Sequence, residues 1–303
     1  MTDALQQRLE TQLSASVDPA VRAFACALAE SAGAEAVLFY GSNLRTGSLE
    51  GVLDFYVLLP GESDDEPAIW PRVSYHEREG EAGTLRAKVA TMRMATFAEA
   101  ASGELKDTTI WARFVQPCAL VWQRDAEARD EALQAIASAA VTAARLAVAL
   151  GPPEGVAEDY WRALFKATYK AEFRVEKPGR ENDILSVNAR HFDGLLPLAL
   201  TAGGIAFDQS GERLAPHFDA HERSQVLGWW KRRQRLGKPM NFARLLKAST
   251  TFEGAARYAA WKIERHTGMP VPVTPFRERY PILAAPGVLW SLWRHQERRK
   301  RAG

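Results

Sequence analysis

Two short apolar runs constrain this chain most: AVLFY at 36–40 and VLDFYVLL at 52–59, separated by a hydrophilic segment that opens on Gly41 and Ser42. Both are rich in β-branched and aromatic residues and are bounded by Gly or Pro, which predicts neighbouring buried strands. Upstream, Asp18 and Pro19 read as a helix start. Val21, Phe24, Ala25 and Leu28 then recur at helical spacing until Gly33, so one amphipathic helix is expected before the first strand.

Further strands are expected at 84–94 (TLRAKVATMRM) and 119–122 (ALVW), with short helices at FAEAASG and TIWARF. Beyond Arg124 the periodicity becomes helical, through EALQAIASAAVTAARLAVAL, DYWRALFKATYKAEFRVE, His221 to Leu236 and Phe252 to His266. GPPEG at 151–155 separates the first two, GESDDEP reads as an acidic surface loop, and MPVPVTPF at 269–276 reads as a linker. The expected organisation is an α/β domain over 1–124, a mainly α-helical domain over 125–268, and a linker with a basic tail over 269–303.

A hydrophobic content of 47% with 25% charged residues is that of a globular chain, and 303 residues suffice for two modest domains. The formal charge of +2 is unevenly spread, because Arg294, Arg298, Arg299, Lys300 and Arg301 fall in the last ten residues. Cys26 and Cys118 lack the paired spacing of a zinc site or disulfide framework, which fits a reducing compartment. MTDALQQRLETQ lacks a signal-peptide pattern, and no run of about eighteen apolar residues occurs. The expectation is a chain that is neither exported nor membrane-spanning.

Gly41 and Ser42 follow the first strand directly, and Asp54 lies on the next, with eleven residues between Ser42 and Asp54. Glycine lets the backbone approach a triphosphate, and the serine hydroxyl and neighbouring amides can hydrogen-bond its oxygens. Asp54 could hold Mg²⁺, which takes one or two carboxylates together with substrate phosphates. The chemistry this suits is nucleotidyl transfer. Strand alternation would aim a second carboxylate at position 56 to the same face, and that residue is Tyr56.

These residues resemble a particular family. YGS followed by VLDFYVLL, with its lone Asp then Phe, is similar to the mitochondrial phosphatidate cytidylyltransferases of the translocator assembly and maintenance type. The resemblance continues in order through LRAKVATM (Lys88), WARFVQP (Arg113 and Pro117), YKAEFR (Tyr169, Glu172, Phe173, Arg174), ARHF (His191, Phe192) and TFEGAARYAAWKIERH. The chain departs from it at Asn43, where the family has Gly-Ser-Gly, and at IWPRVSYHE, which shortens a longer insertion. The resemblance implies an α/β nucleotidyltransferase domain, a mainly helical domain with a winged helix as one form of it, and an amphipathic tail. It implies that CTP and phosphatidic acid give CDP-diacylglycerol and pyrophosphate, with Mg²⁺ as cofactor.

Under that resemblance Gly41, Ser42, Asn43, Lys88 and Arg113 contact the nucleotide, Lys as a point charge and Arg as a planar fork. Asp54 holds the metal. Glu172 becomes the candidate second carboxylate, ahead of Glu77 and Glu79, and Tyr169, Arg174 and His191 become candidates for phosphate or lipid headgroup contact. An i, i+4 charged face around Glu172 and a structural role for His191 are the plainer alternatives. In the tail, Trp290 and Trp293 precede Arg298 and Arg299, which suits an anionic membrane surface and a peripheral, cytoplasmic location on its inner face. Nucleic acid is not expected, since no continuous basic and aromatic surface is traceable outside the tail. A soluble small-molecule, protein or RNA acceptor, or a catalytically inactive nucleotide-binding module, are the competing readings.

Overall fold

The computed structural model describes residues 3–64, 72–80, 83–106, 108–171, 180–251 and 254–279, with positions 284, 287, 290 and 294. Two helices, α1 (Asp3–Leu13) and α2 (Pro19–Ala32), precede β1 (Ala36–Tyr40), where the sequence reading expects one. Leu5, Leu9 and Leu13 recur at i, i+4, i+8 and are buried. Each contributes roughly 1.5–3 kcal/mol by burial, enough to hold a helix whose other positions are mostly polar. α2 starts as expected: the Asp18 side chain accepts from the Ala20 amide at 2.8 Å, and Gly33 ends the helix at φ 60°.

The chain continues through α3 (Ser42–Thr46), β2 (Leu53–Leu59), β3 (Arg72–Gly80), β4 (Gly83–Arg93), α4 (Met94–Ala101), α5 (Thr109–Phe114) and β5 (Cys118–Gln123). The strands form one mixed sheet in the order β3-β4-β2-β1-β5. β1 lies antiparallel between β2 and β5, β2 and β4 run parallel, and β3 returns antiparallel along β4. β3 is an addition to the sequence reading, which treats IWPRVSYHE as a shortened insertion. Tyr75 is the only fully buried residue of β3, so this edge strand carries little hydrophobic alternation to read.

Helices dominate the rest: α6 (Ala126–Leu150), α7 (Ala157–Ala171), α8 (Arg180–Val187), α9 (Ala189–Phe192), α10 (Leu195–Ala202), α11 (Ala220–Thr251), α12 (Ala255–Thr267) and α13 (Pro275–Arg279). Strands β6 (Gly155–Val156), β7 (Phe207–Ser210) and β8 (Arg213–Pro216) form a small antiparallel sheet ordered β6-β8-β7. No local sequence pattern marked these strands, because they are two to four residues long and mostly polar. α11 also runs past the expected end at Leu236 and through Pro239.

The sheet is covered on both faces. α2 packs on one, where Phe24 and Phe55 have ring centroids 5.9 Å apart within a core that includes Val21, Phe39 and Val89. The larger core lies on the other face and links Leu38, Tyr56 and Met92 to α4, α5, α6, α7, α10 and Trp230 on α11. By length and composition α6 could cross a membrane, but most of its apolar window is buried in this core. Arg233 ties α11 to the end of α4: it is buried, donates to the carbonyls of Gly103 and Leu105, and its Cζ lies 3.9 Å from the Trp229 ring centroid.

Candidate functional site

One row of register partners crosses the whole sheet: Cys118, Tyr40, Asp54, Lys88 and Tyr75, on β5, β1, β2, β4 and β3. Register partners present their side chains to the same face, on strands about 4.8 Å apart. The neighbouring row on that face is apolar, formed by Leu120, Leu38, Tyr56 and Ala90. Tyr56 is therefore floor. It is 1% exposed and packs against Phe97 and Phe114 at ring distances of 6.1 and 5.2 Å. A carboxylate at this position would be buried without water, so the polar chemistry stops at Asp54.

Gly41 follows the row directly. Its backbone stands at φ 90°, ψ −163°, a region essentially confined to glycine, and a Cβ there would lie 2.9 Å from Asp54 Oδ2. Gly41 and Ser42 are exposed. Asn43 is buried and donates through Nδ2 to the carbonyls of Ser48 and Glu50, each at 2.8 Å. It also accepts from the Ser42 hydroxyl at 3.4 Å. Asn43 thus shapes the loop that carries the chain from α3 to β2.

Asp54 is half-buried, and its carboxylate has no hydrogen bond or ion pair among the described residues. Burial holds its carboxyl above the usual range, against the opposing pull of Lys88 and Arg113. Burial likewise holds Lys88 below the usual lysine range, with Asp54 opposing and the charges of Arg113 and Lys262 adding to the depression. Lys88 makes no ion pair within 4.0 Å among the described residues. Arg113, from the last turn of α5, donates to the Tyr40 hydroxyl at 3.3 Å, and its Cζ lies 5.3 Å from that ring's centroid.

The structure therefore gathers Gly41, Ser42, Asn43, Asp54, Lys88 and Arg113 at one end of β1 and β2. It adds two residues the sequence reading did not name, Tyr40 and Lys262. The signal for Lys262 was present: Tyr258, Trp261, Lys262 and Arg265 fall at i, i+3, i+4, i+7 and share a helix face. Lys88 and Arg113 beside Asp54, with Lys262 adding its charge at Lys88, suit a polyanion such as a phosphate chain. Among the described residues no group of three His, Cys, Asp or Glu side chains could hold a metal. The Asp54 carboxylate, which has no ion pair among the described residues, nevertheless fits Mg²⁺ as a single protein ligand, with substrate phosphates filling further positions.

The other candidates lie elsewhere. Tyr169 is half-buried against the larger core at the end of α7. Glu77 accepts from the Tyr75 hydroxyl at 2.9 Å and pairs with Arg86 at 3.5 Å, while Glu79 accepts from the Thr84 hydroxyl. Trp290 is 60% exposed. Glu172, Arg174, Trp293, Arg298 and Arg299 fall outside the described residues.

His191 donates from Nε2 to the Val115 carbonyl at 2.8 Å. It lines a cavity of about 770 Å³ beside α3, together with Arg8, Leu44, Arg45 and Arg190. Burial, aided by the Arg8 charge, pushes this imidazole down to about 4 from an unfolded value of 6.5. The unfolded chain then takes up the proton first, so His191 favours the folded state above pH 6.5 and withdraws up to about 3 kcal/mol as pH falls to about 4. Urea unfolding across this window is expected to show a shallower pH slope for His191→Gln than for the wild type. Parallel slopes would remove the buried neutral imidazole from the account.

No protein-family model matches the chain, and no curated protein matches it.

Proposed function

We propose that the chain is a nucleotidyltransferase that takes CTP as donor and phosphatidic acid as acceptor, giving CDP-diacylglycerol and pyrophosphate. The observation that carries this reading is the approach of Gly41 to the Asp54 carboxylate, which stands in register with Lys88. A β-carbon is excluded there, so the backbone leaves room for phosphate where cations converge. The order of strand, Gly-Ser turn, short helix and Asp-bearing strand in a mixed sheet supports the nucleotidyltransferase fold for the first half of the chain.

In this reaction a phosphate oxygen of the acceptor attacks the α-phosphorus of CTP. The bond from that phosphorus to the oxygen bridging to the β-phosphate breaks, and pyrophosphate leaves with the electron pair. Lys88 and Arg113 balance the negative charge that moves onto the leaving group. Asp54 would hold Mg²⁺ against the phosphates, and the bound ion supplies charge neutralisation and orientation. Positioning and electrostatics are then the protein's whole contribution, with no covalent intermediate on the chain. Exposed Trp290 beside a basic tail supports a peripheral, cytoplasmic place on an anionic membrane surface.

The purified chain, supplied with CTP, Mg²⁺ and phosphatidic acid in mixed micelles, is expected to form CDP-diacylglycerol and pyrophosphate in equal amounts. Cytidylylation of a soluble acceptor without lipid product would overturn the lipid assignment and keep the nucleotidyltransferase reading. CTP turnover with neither acceptor would overturn both.

A further inference from the structure

We propose that α12 completes the phosphate cradle, with Lys262 acting as a third phosphate-binding cation and the helix as a clasp over the β3 and β4 side of the site. The inference rests on the nucleotide-binding reading and deepens it: the ligand class is the polyphosphate end of a nucleotide.

The docking of α12 is specific along its length. At its N-terminal end Gly254 stands at φ 77°, where an added Cβ would lie 2.8 Å from the Tyr75 carbonyl oxygen, so helix and strand meet backbone to backbone. One turn on, the Tyr258 ring lies 5.4 Å from the Tyr75 ring, and Tyr75 is the register partner of Lys88. Trp261 stacks on Tyr258 at 6.3 Å, with Arg86 of β4 at 5.5 Å and Arg265 at 5.3 Å from its own centroid. At the far end Arg265 reaches the loop between α3 and β2, where a Cβ at Gly51 would lie 3.1 Å from its Nη1. The helix therefore spans from the edge strand to the loop that follows the Gly-Ser turn.

Lys262 lies one turn beyond Tyr258, and its Nζ is 5.7 Å from that ring's centroid. It has no carboxylate partner among the described residues, and its charge is felt at Lys88. Lys262 thus adds its positive charge beside Lys88, an arrangement that repels itself until an anion enters. An exposed structural lysine gains nothing from facing another cation, because a surface charge is free to turn away into water. A phosphate chain lying between the strand row and α12 removes the repulsion and bridges Lys88 and Lys262.

The test uses the full chain and calorimetric binding of CTP and of inorganic tripolyphosphate. Lys262→Ala is expected to weaken both by about ten-fold and Lys262→Arg to keep most of the affinity, as a charge-assisted contact requires. Lys166→Ala, an exposed change on α7, should leave both unchanged. Tripolyphosphate is also expected to slow tryptic cleavage within α12 in the wild type and to lose that protection in Lys262→Ala, an effect a merely packed lysine would not produce. Wild-type affinity in a folded Lys262→Ala protein overturns the clasp while leaving nucleotide binding intact. Absence of CTP and tripolyphosphate binding in the wild type overturns the nucleotide reading and the clasp together.

Discussion

Asp54→Asn is expected to lower CDP-diacylglycerol formation by at least about 10²-fold, the scale on which losing an electrostatic group at a reacting phosphate acts, while holding or raising stability at neutral pH. The second half of this expectation follows from the direction of the Asp54 shift. Its carboxyl stands above the usual range even with Lys88 and Arg113 nearby, so burial outweighs their attraction and the folded site opposes the charge. A carboxyl whose folded pKa is raised favours the folded state at low pH and withdraws that stability as pH climbs from 3.8 through the folded value. Asparagine keeps the shape and removes this cost. The stability gap between variant and wild type should therefore open in the variant's favour across that window, read by urea unfolding at a series of pH values. A purely structural ion-pairing role predicts the opposite, because Lys88 and Arg113 would lose a nearby counter-charge. An Asp54→Asn protein that is less stable at neutral pH and still active would remove Asp54 from the chemistry.

The same balance explains what could be read from the sequence. β1 and β2 were legible because both are nearly fully buried and so read as continuous apolar runs, and α2 because Asp18 and Gly33 mark its ends with side-chain and backbone chemistry. Gly41 and Asp54 were legible from a strand, its turn and the next strand, whereas Lys88 and Arg113 were named only through the family resemblance. The register of Asp54 with Lys88 was not legible, since parallel pairing of β2 with β4 is a long-range event that no local pattern specifies. β3 escaped because an exposed edge strand lacks alternation, and α1 because three leucines among polar residues resemble a solvated segment until the core they enter is known. Lys262 escaped for a different reason. Its helix was expected, but which face of that helix meets the sheet depends on Tyr75, which belongs to the strand that was missed. The expected boundary at residue 125 coincides with the Asp125 cap of α6, yet buried residues of α6 share one core with Leu5, Tyr56 and Phe114. A change of texture along the chain marks where helices begin, whereas core membership is decided by apolar faces that sequence order does not separate.

Gly41→Ala is expected to damage both stability and activity, and the two losses are separable. At φ 90°, ψ −163° any residue with a β-carbon carries backbone strain of roughly 1–3 kcal/mol. The added carbon also falls 2.9 Å from Asp54 Oδ2, so either the strand turn or the carboxylate must shift. Gly47 gives the reference for strain alone, since its φ is 68° and nothing lies within 4 Å of an added Cβ. Gly47→Ala should therefore cost about 1 kcal/mol, leave activity nearly intact, and set the baseline above which Gly41→Ala is measured. Pairing Gly41→Ala with Asp54→Ala removes the oxygen that the new carbon meets. Stability in the double variant should then exceed the sum of the single effects by about 0.5–3 kcal/mol, as expected for residues in direct contact. Activity should not return, because the carboxylate is gone and the space Gly41 keeps open for phosphate is filled. Strictly additive stabilities in this cycle would show that Gly41 and Asp54 do not press on one another, and the close approach on which the phosphate cradle rests would have to be abandoned.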